Sequence, residues 1–94
     1  MWGVVADTTR LSMPDETAIR DQLRAFICTE LMKRPSYPLL DDEPLMSGGL
    51  IDSFSLPYLA VFIELQCGVY VPDVELTVEN MDTLDLIVAR VLQG

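Results

Sequence analysis

The segment of this chain whose residue types and spacing best suggest chemistry lies near its middle, at Asp52 and Ser53. Gly48 and Gly49 precede the pair, and a long apolar run follows it at residues 56–65. A serine hydroxyl becomes a strong nucleophile when a neighbouring base removes its proton. The chain contains no histidine, which excludes serine–histidine and cysteine–histidine pairs and histidine metal sites. Ser53 is therefore not expected to catalyse a reaction alone, although another enzyme can attach a group to it.

Asp52 and Ser53 also have a purely structural interpretation. Both residue types are common at helix starts, where their side-chain oxygens accept hydrogen bonds from free N–H groups. A glycine break followed directly by a helix start predicts that Ser53 is held outward. The pair alone leaves the two interpretations open.

The composition predicts one small globular domain. Ninety-four residues suffice for one hydrophobic core, and half of them are apolar. The net charge of −9 arises in residues 35–94, which contain ten acidic residues and Arg90 as their one base. An acidic surface repels nucleic acid and anionic lipid and attracts basic protein surfaces. We therefore expect protein partners and no nucleic-acid or membrane partner, although the charge alone is equally consistent with a role in solubility.

Cys28 and Cys67 lack metal-ligand spacing and fall within apolar helical patterns, which indicates reduced core residues in a cytoplasmic protein. No segment approaches the roughly 20 apolar residues of a membrane-spanning helix. The N-terminus also lacks the order of a signal peptide. Residues 1–12 show no sustained periodicity and are predicted to be a loose leader before a domain at residues 13–94.

The first predicted helix should begin near a cap at Ser12 or Asp15. Cations complement the carbonyl end of a helix, so Lys33 and Arg34 are expected in its last turn, before Pro35 stops it. Its buried face follows helical spacing: Ile19, Leu23, Phe26, Ile27 and Leu31.

Residues 35–52 are predicted to form a long connection, because its three prolines oppose regular structure. A loop of this length is usually functional or disordered, and its apolar content argues against disorder. We expect Leu45, Leu50 and Ile51 to face the core. The acidic residues 41–43 are interpreted as a solvated turn rather than a metal site.

The second helix is apolar beyond one stripe, which predicts both a core position and an exposed apolar patch. Pro57 predicts a late or distorted start, with Ser55 as a second cap, because proline removes a helical hydrogen bond. The face expected to be buried is Leu56, Leu59, Phe62 and Ile63, extending at most to Gln66 and Cys67.

Gly68 is predicted to end the second helix in the left-handed conformation. Residues 69–72 are expected to form an extended link, and residues 73–77 one short helical turn. Asp82 is expected to cap the last helix. The buried stripe of that helix is predicted to be Leu84, Ile87, Val88, Val91 and Leu92.

Residues 49–54, Gly-Leu-Ile-Asp-Ser-Phe, resemble the phosphopantetheine attachment motif of the acyl and peptidyl carrier proteins. Residues 71–76 and 79–83 are similar to the third-helix region of free-standing peptidyl, aminoacyl and D-alanyl carriers. The likeness extends from about residue 15 to residue 92. It implies an all-α, acyl-carrier-protein-like four-helix bundle, with three main helices, one short helix and a long first loop.

The resemblance also implies that the protein is not an enzyme but a covalent shuttle. Ser53 would carry 4′-phosphopantetheine, derived from coenzyme A, and Asp52 would support its attachment. The terminal thiol would hold an acyl or aminoacyl group as a thioester. The implied partners are a phosphopantetheinyl transferase, an adenylating loading enzyme and downstream synthase or tailoring enzymes, acting on a monomeric cytoplasmic carrier.

The second helix differs from that of fatty-acid-synthase carriers, which is acidic, because Glu64 is its only charge. This difference favours a carrier of a specialised biosynthetic pathway that docks largely by apolar contact. The alternative is an unmodified helical adaptor that binds a partner through the same helix. The predicted partner-binding residues are Phe54, Leu56, Tyr58, Val61 and Leu65.

Overall fold

The structure is a computed structural model that describes residues 16–94. All regular structure in this part of the chain is helical and forms a small bundle, as predicted. The helices are α1 at Glu16–Phe26, which continues as a π-helical turn at Ile27–Leu31, α2 at Leu56–Cys67, the short α3 at Val78–Met81, and α4 at Leu84–Gln93. The predicted caps Ser12 and Asp15 and the predicted leader lie outside the described residues.

Short 3₁₀ turns lead into the later helices, at Ser53–Ser55 before α2 and at Asp73–Glu75 before α3. The second of these turns falls within the helical turn predicted at residues 73–77. Residues 69–72 form no strand and include the buried side chains of Val69 and Val71, as expected for an extended link. Among the described residues, no helix is both long enough and apolar enough to cross a membrane.

One apolar core joins α1, α2, α4 and the long loop. The buried faces of α1, α2 and α4 follow the predicted helical spacing, with side chains such as Leu23, Leu59 and Ile87 fully enclosed. Phe62 is half-buried and stacks on Phe26, with ring centroids 4.2 Å apart. Leu92 was expected in the buried stripe of the last helix, but this prediction is wrong because 49% of the residue is exposed near the chain end.

Helix α1 ends earlier than its cations predict. Lys33 adopts the left-handed conformation, with φ at 60°. The N–H of Arg34 donates to the carbonyl of Cys28, six residues earlier, at 2.7 Å, and this bond closes the chain over the π-helical turn. The prediction that Lys33 and Arg34 lie in the last helical turn is therefore wrong. Pro35 disfavours helical geometry at Arg34, so the chain already reverses at Lys33.

The long connection between α1 and α2 is held against the bundle. Leu45 and Ile51 are buried, as predicted, whereas Leu50 is only half-buried. The Asp41 carboxylate accepts a hydrogen bond from Arg24, and the Glu43 carboxylate accepts one from the Tyr37 hydroxyl. Residues 41 and 42 form a turn and the Asp41 side chain is 46% exposed, in agreement with the predicted solvated turn, and the Asp41 and Glu43 carboxylates also brace the loop.

The start of α2 is distorted, as Pro57 predicts. A 3₁₀ turn occupies Ser53–Ser55, and the α-helix begins at Leu56. Ser55 takes the cap position, but its side chain makes no capping hydrogen bond, so that part of the prediction is wrong. Gly68 ends the helix with φ at 71°, which confirms the predicted left-handed cap.

Threonines cap the last two helices. The Thr83 hydroxyl accepts a hydrogen bond from the N–H of Leu86 at 3.1 Å, and Thr77 similarly caps α3. The prediction that Asp82 caps the last helix is wrong. Thr83 has the extended backbone that a cap requires, whereas Asp82 is the C-terminal cap residue of α3. The Asp82 carboxylate is therefore free to bond elsewhere.

Candidate functional site

Ser53 is exposed at the first position of the 3₁₀ turn that leads into α2. Asp52, also exposed, precedes it in extended conformation, and its carbonyl accepts the N–H of Ser55 at 3.1 Å. Within residues 16–94, neither side chain has a hydrogen-bond partner. The purely structural interpretation is thus wrong, because these side chains cap nothing. The Ser53 hydroxyl is left open to a reagent from solvent.

A groove of about 770 Å³ lies beside Ser53. It runs between the end of the loop, the turn before α2 and the start of α3, so it brings together parts of the chain that are distant in sequence. Apolar side chains and hydroxyl groups share its lining, which includes Leu31, Leu50, Asp52, Ser53, Ser55 and Val78. An extended chain with both polar and apolar parts, attached at Ser53, would find both kinds of partner in this groove.

Gly48 and Gly49 shape the loop that forms one wall of the groove. Gly49 has φ at 79°, in the left-handed region that glycine adopts without steric cost. A Cβ atom added at Gly48 would lie 2.3 Å from the carbonyl oxygen of Pro44. Glycine is therefore favoured at position 49 by the backbone conformation and at position 48 by the lack of room for a side chain.

Asp82, at the end of α3, anchors the same loop. Its Oδ1 accepts the N–H of Met46 at 2.7 Å and the N–H of Ser47 at 3.1 Å. Its Oδ2 accepts the Ser47 hydroxyl at 2.5 Å. Burial opposes ionisation of Asp82, but these hydrogen bonds outweigh it and hold the pKa of the carboxyl below its ordinary value.

Backbone hydrogen bonds extend this anchor toward Asp52. The N–H of Leu45 donates to the Asp82 carbonyl at 2.6 Å. The carbonyl of Leu45 then accepts the N–H groups of Leu50 and Ile51 at 2.8 and 3.0 Å. The loop therefore closes on itself directly before Asp52, which fixes where the Asp52–Ser53 pair leaves the bundle.

Arg24 fixes the first half of the loop. Its Nε donates to the carbonyl of Leu39 at 3.1 Å, and its guanidinium also bonds the Asp41 carboxylate. The N–H of Asp85, in α4, donates to the carbonyl of Asp41 at 2.9 Å. Both ends of the loop are thus tied to helices that also contribute to the core.

Four of the five predicted partner-binding residues are exposed apolar side chains. Their exposed fractions are 83% for Phe54, 68% for Tyr58, 55% for Val61 and 75% for Leu65. Leu56 is only 1% exposed, so its prediction as a partner-binding residue is wrong. It lies three and seven residues before Leu59 and Ile63, in register with the buried face of α2.

The two cysteine thiols do not compete for the chemistry of this site. Both are free, Cys28 being buried and Cys67 half-buried. Burial raises the pKa of each thiol, so little thiolate is present at neutral pH.

Sequence reasoning missed Asp82 as the anchor of the loop and Lys33 as a left-handed residue. A signal for Asp82 was the neighbouring Thr83, which can cap α4 alone and leaves the acid without a helical role. A signal for Lys33 was Pro35 two residues later, which forces the helix to close before it.

Comparisons of this chain with protein-family models, with curated proteins and with solved structures find no match. Its function must therefore be inferred from the residues and geometry around Ser53.

Proposed function

We propose that the protein is a free-standing carrier that tethers pathway intermediates as thioesters on a 4′-phosphopantetheine arm at Ser53. The observation that carries this proposal is the exposed Ser53 side chain, without a hydrogen-bond partner in the described chain, at the entry to α2. A serine in a chain without histidine has no strong internal base, so it suits modification by another enzyme better than catalysis. The likeness of residues 49–54 to the carrier attachment motif supports the same function.

Attachment is a phosphoryl transfer in which Ser53 supplies the acceptor oxygen. The Ser53 Oγ forms a bond to the pantetheine-side phosphorus of coenzyme A, and the bond from that phosphorus to the adenosine bisphosphate breaks. The adenosine bisphosphate leaves, and the hydroxyl proton passes to a base of the transferase. Asp52, exposed directly before Ser53, is free to help position the metal and the coenzyme A during this transfer.

The surroundings of Ser53 fit the attached group. A phosphodiester at Ser53 lies at the N-terminal end of a helical segment, where unpaired N–H groups and the helix dipole favour negative charge. The neighbouring groove offers hydroxyl groups and apolar side chains along its length. The arm ends in a thiol, which supplies the thioester linkage to an acyl or aminoacyl cargo.

The proposed partners are a phosphopantetheinyl transferase, an adenylating loading enzyme, and synthase or tailoring enzymes that use the cargo. The carrier itself is not an enzyme, and we propose that it acts as a cytoplasmic monomer in a specialised pathway. Its apolar α2 surface supports docking to these enzymes by apolar contact. Incubation with coenzyme A, Mg²⁺ and a phosphopantetheinyl transferase, followed by intact mass spectrometry, tests the attachment directly.

An unmodified helical adaptor is the second candidate, and the exposed apolar residues of α2 favour it. Both functions use the same helix surface, but only the carrier requires the Ser53 hydroxyl. A partner complex that forms equally well with Ser53→Ala, from a protein that carries no arm in its native cells, would favour the adaptor.

A further inference from the structure

The positive charges of the described chain are divided between paired and unpaired side chains. Three of the five cations in residues 16–94, namely Arg20, Arg24 and Arg90, form salt bridges with carboxylates. The remaining two, Lys33 and Arg34, are exposed and have no carboxylate partner in this part of the chain. We refer to Lys33 and Arg34 as the basic corner.

Lys33 of the basic corner lies beside the start of α2. A groove of about 380 Å³ is lined by Lys33 and Glu30 from the end of α1 and by Ser55 and Tyr58 from the start of α2. Ser55 also lines the groove beside Ser53. Glu30 shares this groove with Lys33, and Arg34 lies outside its lining, but neither cation has a carboxylate partner within residues 16–94 of a protein whose net charge is −9.

Lys33 keeps a long charged side chain at a position where glycine is favoured. Its φ of 60° lies in the left-handed region, which is sterically unfavourable for a residue with a Cβ atom. Packing does not explain the residue type, because Lys33 is exposed. A lysine therefore lies at the edge of this groove although the local backbone conformation favours glycine.

An exposed apolar stripe begins next to Ser53 and passes the basic corner. It consists of Phe54, Tyr58, Val61 and Leu65, which we call the α2 stripe. Their spacing of four, three and four residues places them on one side of a helix. Glu64, three residues after Val61 and about 60° from it around the helix, borders the stripe but is not one of its members.

A second copy of this chain does not suit the stripe. The four side chains expose roughly 500 Å², below the roughly 800 Å² that each partner buries in a standard stable interface. Two copies, each with a net charge of −9, also repel one another. A transient contact with a different protein fits this area and charge better.

We propose that the enzymes that act on Ser53 dock through an apolar surface bordered by carboxylates. Their apolar groups cover the α2 stripe, and their carboxylates face the basic corner. This inference rests on the proposed carrier function and specifies the chemistry of the partner surface. It differs from docking driven by the acidic charge of the carrier, for which the partner surface would be basic.

The test measures kcat/KM for transfer of the phosphopantetheine arm to Ser53 by the phosphopantetheinyl transferase of the same organism. Intact mass spectrometry monitors the reaction. The test variant Lys33→Gln with Arg34→Gln lowers the net charge by two. The matched control, Thr17→Glu with Ala89→Glu, changes two exposed residues by the same charge. Thr17 lies 14 residues before Leu31, where the π-helical turn ends, which is about 21 Å along the helix at 1.5 Å per residue.

We expect the basic-corner variant to lose about tenfold in kcat/KM at low salt, and the control less than about twofold. The loss should shrink at about 0.5 M salt, because exposed charges are then screened. A kcat/KM for the basic-corner variant that equals or exceeds that of the control variant would overturn the proposal.

A second pair of variants tests the apolar part separately. Leu65→Asn should also lower kcat/KM several-fold, whereas Val74→Asn, at another exposed apolar site, should not. Equal effects of the two changes would overturn a docking role for the stripe. A wild-type dimer in sedimentation experiments that Leu65→Asn dissociates would assign the stripe to a second copy instead. If the folded wild type is not modified at all, the proposed carrier function is wrong. If wild type and variants are all modified at the same rate, only the proposed docking surface is wrong.

Discussion

The side chains of Ser47 and Asp82, 35 residues apart in sequence, are joined by a 2.5 Å hydrogen bond beside the groove at Ser53. The same carboxylate also accepts two backbone N–H groups from the loop. One acid at the end of α3 therefore determines the position of the loop that leads to Asp52.

Replacement of Asp82 should loosen this loop. Asp82→Ala removes three hydrogen bonds, one of them part-buried, and we expect it to lower the free energy of unfolding by about 1–2 kcal/mol, a value discounted for partial exposure. Urea unfolding measures this change. Asp42→Ala, at an exposed residue of the same loop, should have little effect. Equal losses from the two substitutions would contradict the anchoring role.

The anchor should also weaken in acid. The pKa of Asp82 is depressed in the folded state, so its contribution to stability is fully present above the ordinary value near 3.8 and is lost as pH falls through the folded pKa. The stability difference between wild type and Asp82→Asn should therefore persist from about pH 7 to about pH 4 and decrease below that. Urea unfolding as a function of pH gives the comparison, and a difference that stays constant into strong acid would disprove the linkage.

Replacement of either loop glycine by alanine should lower the stability of the protein, but for different reasons. Gly49→Ala places a Cβ on a left-handed residue with open space around it, which should cost about 1 kcal/mol. Gly48→Ala forces the carbonyl of Pro44 to move, so the loss should be larger. Thermal unfolding ranks the two variants. A more damaging Gly49→Ala would show that the loop can relax around Pro44.

Lys33→Gly should separate stability from docking. Glycine adopts the left-handed conformation without steric cost, so the variant should gain up to about 1 kcal/mol in stability. It should nevertheless be modified more slowly by the transferase, because the charge is lost. Urea unfolding and transfer kinetics on the same preparation measure both effects. A variant that is more stable and is modified at the wild-type rate would leave Lys33 without a docking role.

The buried helix faces were predictable from sequence because each depends on local periodicity. Leu23 in α1, Leu59 in α2 and Ile87 in α4 follow helical spacing and are buried as expected. Pro57 and Gly68 likewise act through their own backbone geometry, and the distorted start and left-handed end of α2 confirm their predicted effects.

Features that depend on contacts distant in sequence were not predictable. Asp82 was expected to act on its own helix, but its partners lie 35 and 36 residues earlier in the loop. The motif gave the position of Ser53, but only the fold shows that its hydroxyl has no partner within residues 16–94.

Intact mass spectrometry of the full chain, incubated with coenzyme A, Mg²⁺ and the transferase of the same organism, tests the carrier function most directly. Ser53→Ala serves as the control, and its unfolding transition should match the wild type because the hydroxyl makes no hydrogen bond with a described residue. We predict that the wild type gains the mass of one phosphopantetheinyl group and that Ser53→Ala gains none. A folded wild type whose mass does not change, or a Ser53→Ala variant that gains the same mass, would contradict attachment at Ser53.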